Sequence, residues 1–164
     1  SLKMNCIFEN SEEKHLQRIE QMQLKTNQFN LCTNRYKINK LREKLLDENI
    51  SIFSIKLKDK FADHGFISYL EYEKRLNSIY IKDWLISCRV FSRTLEEFIL
   101  KNICKFPENE NIDQIFLRFI ESKKNSFLRN RLKELNFKIK SKKKDIEIWS
   151  APITKIIDLK TYIN

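Results

Sequence analysis

Three runs constrain the fold of this chain more than any other feature: "ISIFSIKLKD", "HGFISYLEYEK" and "SIYIKDWLISCRV". Each is rich in β-branched and aromatic side chains, and only short polar breaks separate them, which is the pattern of an antiparallel meander. The one glycine of the chain, Gly65, stands in the second run. Ahead of them, Asn10 and Glu13 have the spacing of a capping box, and the helix that follows carries Leu16, Ile19 and Met22 on one face. A second helix in "INKLREKLLDEN" places Ile38, Leu41 and Leu45 at helical spacing and ends at Asn49. Two such helices need a flat apolar partner, and the meander supplies it.

The same reading extends to both ends. "MNCIFE", Met4 to Glu9, alternates as a first strand. "TLEEFILKNICKF" puts Leu95, Phe98, Ile99 and Ile103 on one side of a helix, with Thr94 as N-cap and two acids in the first turn. "IDQIFLRFIES" reads as a strand and "NSFLRNRLKELN" as a helix. "FKIKS" and "DIEIWSAP" read as a hairpin whose turn holds Lys142, Lys143 and Lys144. Pro107 and Pro152 fall at element edges, where proline is tolerated. The expected class is α/β (α+β): a mixed, mostly antiparallel sheet of about seven strands with about four helices, in the order β-α-α-β-β-β-α-β-α-β-β. Residues 1–164 form one domain, without internal repeats or low-complexity linkers.

Composition narrows the setting. With 41% hydrophobic and 33% charged residues the chain is too apolar for a disordered segment, and no apolar run reaches the roughly 18 residues of a membrane span. A membrane is therefore not an expected partner. Cys6, Cys32, Cys88 and Cys104 are far apart and there are two histidines, so neither a metal site nor a disulfide framework is indicated. Reduced thiols and a cytoplasmic location are the default. The net charge of +10 implies an acidic partner, whether nucleic acid, anionic lipid, a phosphorylated cofactor or an acidic protein. Part of the Lys and Ile content also fits an AT-rich genome, which weakens the inference from basicity, so nucleic acid ranks low as a partner. The opening "SLKMNC" lacks an initiating Met, so the chain is expected to be a piece of a longer protein.

The element order is that of the GNAT acyl-CoA acyltransferase fold, and two stretches lie in the register of its signatures. "RVFSRT", Arg89 to Thr94, resembles the Q/R-x-x-G-x-G/A turn in which backbone N–H groups at a helix start hold the pyrophosphate of a coenzyme A thioester. Ser92 and Thr94 replace both small residues, and their side chains obstruct that close approach. "NSFLRNRLKELNF" resembles the second signature, with Asn125 and Phe137 in register. There, however, Leu132 stands at the place of the tyrosine that protonates the leaving thiolate, and Asn136 at the place of a glycine.

A closer resemblance rests on "KTNQFNLCTNRY", "DKFADHGFIS", "WLISCRVFSR", "EEF" and "ESKKN". Together these are similar to the C-terminal GNAT-like domain of FkbH-like proteins, in which a HAD superfamily, phosphatase-like domain lies upstream. The likeness implies work in polyketide or surface-polysaccharide biosynthesis, with a coenzyme A thioester or the phosphopantetheine of an acidic acyl carrier protein as ligand. It also implies the upstream HAD-type domain of the same polypeptide as a partner. On this resemblance Arg89, Val90, Phe91, Ser92, Arg93, Thr94 and Asn125 are the candidate cofactor-binding residues, and Lys25, Asn27, Gln28, Asn30, Asp63 and Lys124 the candidate substrate-binding ones.

Two residues are candidates for chemistry: Cys88 as a thiol nucleophile and His64 as a general base. Each has a plainer reading, Cys88 as a small buried hydrophobe and His64 with Asp63 as turn formers before Gly65. Asn27, Gln28 and Asn30 either satisfy loop backbone or hydrogen-bond an acyl group while Phe29 packs inward. Three functional readings remain open at this point: a thioester-binding acyltransferase-type domain whose chemistry has degenerated, a docking module that orients the HAD-type domain and its carrier protein, and an active N-acetyltransferase on a sugar amine.

Overall fold

The structure, a computed structural model, describes residues 3–26, 28–88 and 94–164. Seven strands form one sheet in the order β1-β2-β3-β4-β5-β7-β6. β1 (Asn5–Asn10), β2 (Ile50–Lys58), β3 (Asp63–Arg75) and β4 (Ser78–Ile86) run antiparallel to one another, as the three runs and the first strand require. β5 (Gln114–Ile120) is parallel to β4, and β7 (Ile146–Pro152) and β6 (Lys138–Lys143) close the far edge as an antiparallel pair.

Helices cover both faces. α1 (Leu16–Lys25) and α2 (Ile38–Leu45) lie on β2 to β4 through Leu16, Ile19, Met22 and Leu41, which pack on Ile52, Tyr69 and Leu85. α3 (Leu95–Lys105) and α4 (Leu128–Glu134) bury Leu95, Ile99, Ile103, Leu128 and Leu132 against Ile79, Ile81, Ile115, Leu117 and Phe119 on the other face. No helix among the described residues is long and apolar enough to cross a membrane.

Four local features differ from the sequence reading. The capping box is Glu12 with His15, whose Nδ1 accepts the Glu12 N–H at 2.8 Å, because Asn10 still pairs with Phe53 as the last residue of β1. α4 starts three residues late, since Asn125 folds its side chain back to accept the Ser122 N–H at 2.6 Å. Lys142 and Lys143 belong to β6, leaving Lys144, at φ 57°, to turn the hairpin. A fifth helix, α5 (Ile153–Ile157), follows Pro152; five residues are too few to show helical periodicity in a sequence. Behind it the tail buries Leu159 and Ile163, and Asn164 exchanges backbone hydrogen bonds with Met4 and Cys6 beside β1.

Candidate functional site

β4 and β5 pair only from Ser78↔Gln114 to Ile81↔Leu117 and then part. Their separation exposes backbone groups that a continuous sheet would satisfy. The segment after α1 supplies the partners. Leu31 N–H donates to Trp84 O at 3.0 Å, Ile86 N–H to Phe29 O at 2.9 Å, and Ile120 N–H to Leu31 O at 2.9 Å. Asn30 bridges Leu85 in antiparallel register. Phe29 is buried and meets the Trp84 ring edge-on at 4.9 Å, so the expected inward packing of Phe29 holds. Residues 29–31 thus bridge β4 and β5 where the two strands part.

Two asparagines hold this inserted segment there. Asn30 Nδ2 donates to Thr26 O at 3.0 Å, and its Oδ1 accepts the Thr33 N–H at 2.8 Å, where Thr33 turns at φ 54°. Asn125 Nδ2 donates to Asn30 O at 2.8 Å and to Ile120 O at 3.1 Å. Both side chains are fully buried, and their polar atoms are consumed by backbone. Asn30 as a ligand contact therefore gives way to its plainer reading, satisfying loop backbone, and the Asn125 side chain is likewise taken up by backbone of the inserted segment and β5.

At the carboxyl end of β4 lie two adjoining cavities of about 360 Å³ each, one lined by Arg18, Met22, Lys25, Thr26, Ser87 and Cys88, the other by Lys25, Gln28, Cys88 and Lys124. They share Lys25 and Cys88 and so form one groove. Four residues singled out from the sequence, Lys25, Gln28, Cys88 and Lys124, meet here. Asn27 and Arg89 to Arg93 lie outside the described residues. Among the described residues three cations, Arg18, Lys25 and Lys124, and no carboxylate line the groove, so its potential is positive. Cys88 is exposed, whereas burial pushes the Cys6 and Cys32 thiols up to about 12 and that of Cys104 to about 11. The expectation that Cys88 is buried in mid-strand fails because β4 ends at Ile86.

His64 and Asp63 do not line the groove. Asp59 Oδ2 bonds His64 Nε2 at 2.7 Å while its Oδ1 accepts the N–H groups of Phe61 and Ala62 at 2.8 Å; the His64 contact leads these in holding the Asp59 carboxyl down to about 2. Asp63 Oδ1 accepts the Gly65 N–H at 2.9 Å, which holds its carboxyl below the usual range, and Gly65 sits at φ 66°. Both residues build the β2–β3 turn.

Thr94 has φ 59° and ψ 22°, the left-handed region that a β-branched residue rarely enters. As the N-cap position of α3 it makes no capping bond; its hydroxyl meets Thr161 Oγ1 at 3.1 Å and accepts the Tyr162 N–H at 3.2 Å. The C-terminal tail thus crosses the start of α3. The two acids of that first turn face Arg131 of α4, with Glu96 Oε1 at 3.1 Å and Glu97 Oε1 at 2.7 Å. Leu132 is fully buried, and Asn136 does take the left-handed cap conformation at φ 69°.

A cluster of charges beneath the inserted segment escaped the sequence reading. Glu71 of β3 and Asp83 of β4 are direct cross-strand partners, both buried on the face covered by α1 and α2. Lys44 Nζ pairs with Glu71 and lies 4.4 Å from the Tyr36 ring centroid. Asp83 accepts the Trp84 N–H at 2.9 Å and Asn34 Nδ2 at 3.2 Å, yet burial, aided by Glu71, lifts its carboxyl to about 6. Tyr69 Oη, in the same layer, has no hydrogen-bond partner among the described residues. The signal was an acid inside each apolar run, "YLEYE" and "IKDWL".

Solved structures match this fold over almost the whole chain. The PaiA N-acetyltransferase of Thermoplasma acidophilum, solved in complex with coenzyme A, is 12% identical with a TM-score of 0.68, covering 90% of this chain and 99% of that one. An acetyltransferase from Thermus thermophilus is 9% identical with a TM-score of 0.71, covering 90% and 97%. Mutant forms of the spermidine/spermine N-acetyltransferase SpeG from Vibrio cholerae are 14% identical with a TM-score of 0.64, covering 94% and 97%. At these identities the likeness is one of fold: the chain has the fold of the GNAT N-acetyltransferases. No family model and no curated protein sequence matches it.

Proposed function

We propose that this domain binds an acyl thioester by its acyl and pantetheine end in the groove around Cys88, as the GNAT-like part of an FkbH-like protein, and receives it on an acidic acyl carrier protein or as acyl-CoA. One observation carries this reading: Lys25 with Gln28, Cys88 and Lys124, from three segments far apart in sequence, converge on one cavity. Ammonium and amide donors suit a thioester carbonyl and the pantetheine amides, and a basic rim suits a carrier protein rich in acids. A neighbouring fold solved with coenzyme A supports the ligand class.

The residues fit the thioester end better than they fit transfer chemistry. Leu132 offers no proton where a phenol is needed, Asn125 is consumed by backbone, and Thr94 is tied to the tail. No transfer step is therefore derived, and binding with degenerate catalysis is the function favoured. An active N-acetyltransferase would need a base open to the groove, whereas His64 is held by Asp59 and Asp83 lies under Asn34.

A docking module that orients an upstream HAD-type domain is the second reading, favoured by the inserted segment, which takes the open edges of β4 and β5. Calorimetric titration separates the two. Binding is expected for acyl-CoA or for an acylated holo carrier protein, and Lys25→Glu with Lys124→Glu should weaken it at least tenfold, about 1.4 kcal/mol. Heatless titrations with both ligands would leave only the docking reading.

A further inference from the structure

α1 and α2 pack only on β2 to β4, so neither helix covers the same face of the sheet across β5, β7 and β6. A trough runs over it, formed by a depression of about 360 Å³ lined by Arg75, Tyr80, Phe116, Lys140 and Ile148 among others, and one of about 520 Å³ lined by Lys143, Lys144, Ile146 and Ile148. The two share Ser141 and Ile148. From β3 to β6 the trough crosses four strand spacings, about 19 Å. It lies along the amino-terminal half of β4, while the thioester groove lies at the strand's carboxyl end.

Its floor holds two aromatic rings side by side. Tyr80 and Phe116 are direct partners on the parallel strands β4 and β5, both half-buried, with their side chains on the open face. Each has a cation parked over it: Arg75 Cζ is 4.3 Å from the Tyr80 centroid and Lys140 Nζ is 4.7 Å from that of Phe116. Among the described residues no carboxylate lines either depression; Glu73, at the rim, is shared between Arg75 at 3.1 Å and Lys82 at 3.6 Å. Lys140, Lys143 and Lys144 make no ion pair with the described residues, and every residue of β6 is exposed.

We infer that this trough binds a single-stranded oligonucleotide, its bases stacked on Tyr80 and Phe116 and its phosphates held by Arg75, Lys140, Lys143 and Lys144. Rings on neighbouring strands of an open sheet face are stacking platforms for successive unpaired bases, and long cations resting on those rings need only swing outward to reach phosphate. Charge alone would suit an acidic protein equally. The paired rings are what favour nucleobases, so the placement of side chains reverses the low rank that composition assigned to nucleic acid.

Fluorescence anisotropy with labelled oligo(U) and oligo(dT) tests this. Saturable binding is expected, falling about fifty-fold between 50 and 200 mM salt if four phosphate contacts form on a single strand. Tyr80→Ala with Phe116→Ala should weaken binding at least tenfold without changing the salt slope, whereas Lys140→Glu with Lys143→Glu, on a fully exposed strand, should weaken it and flatten the slope. Lys25→Glu with Lys124→Glu should leave it intact, which separates this site from the thioester groove. A tighter oligo(U) arm would assign RNA as the ligand, and a tighter oligo(dT) arm DNA. The inference is overturned if no saturable binding occurs, if a folded aromatic variant binds as the parent does, or if polyglutamate displaces the oligonucleotide at equal charge concentration. Should the aromatic variant fail to fold, the charge-reversal pair decides, since unchanged binding there contradicts the site as well.

Discussion

Replacing Lys44 with methionine is expected to lower the unfolding free energy by about 3–5 kcal/mol, the cost of stripping a buried charge of its partner. Glu71 is 1% exposed and Lys44 is its counter-ion, while the nearest group across the ladder is another carboxyl, Asp83. Without Lys44 the buried Glu71 carboxyl loses its paired cation while still facing the Asp83 carboxyl. Replacing both partners, Lys44→Met with Glu71→Leu, should recover most of the loss, because an apolar pair of similar volume removes the desolvation cost as well. Urea unfolding of the two variants and the parent at one pH decides it. Equal stability of Lys44→Met and the parent would mean that the pair contributes nothing.

Asp83→Asn is expected to act in the opposite direction and to depend on pH. An exposed Asp titrates near 3.8, and burial lifts Asp83 to about 6 in the fold. The folded state therefore holds the proton more tightly than the unfolded chain. The resulting stability is fully present below 3.8 and is lost as pH rises through 6. By pH 8 the loss is about 2–3 kcal/mol. Asparagine cannot ionise, keeps an oxygen for the Trp84 N–H, and needs only the amide of Asn34 to turn over. The stability difference between Asp83→Asn and the parent should thus be small at pH 4 and grow to about 2–3 kcal/mol in favour of the variant at pH 8. A difference that does not change with pH would contradict the assignment.

This charged layer also shows where a sequence stops being legible. The meander was readable because alternation and β-branched content both pointed to strands, and the helices because their apolar spacing was regular. Alternation alone, however, places Asp83 on the same face as Ile79 and Ile81. The pairing slips between Glu71↔Asp83 and Tyr72↔Ile81, so Lys82 is an extra residue that reverses the parity of everything after it. That bulge puts Asp83 and Leu85 under α1 and α2, and Trp84 and Ile86 in the core beneath α3. A bulge at lysine has no compositional signal in one sequence.

The candidate site was legible in the same uneven way. Residues with flexible polar ends at element boundaries, Lys25, Gln28, Cys88 and Lys124, do gather at the groove. The asparagines do not, because a short amide side chain near a loop finds backbone before it finds a ligand, as Asn30 and Asn125 do. Nor did the amide-rich segment read as a bridge between strands, since its pairing with β4 and β5 depends on an opening that only the folded sheet creates. The platform of Tyr80 and Phe116 was invisible for a similar reason: their strands are adjacent in space but separated by a whole helix in the chain.

Alkylation of Cys88 tests the thioester groove most directly. It is the exposed thiol of the four, and two of the other three are pushed up to about 12 by burial, so a mild haloacetamide should label it first. Mass spectrometry of the labelled peptide at increasing acyl-CoA, or increasing acylated carrier protein, then reports occupancy of the groove itself. Bound thioester is expected to slow Cys88 labelling at least tenfold, with half-protection at the calorimetric dissociation constant. Labelling that proceeds at the same rate in saturating ligand would place the thioester elsewhere and contradict the proposed site.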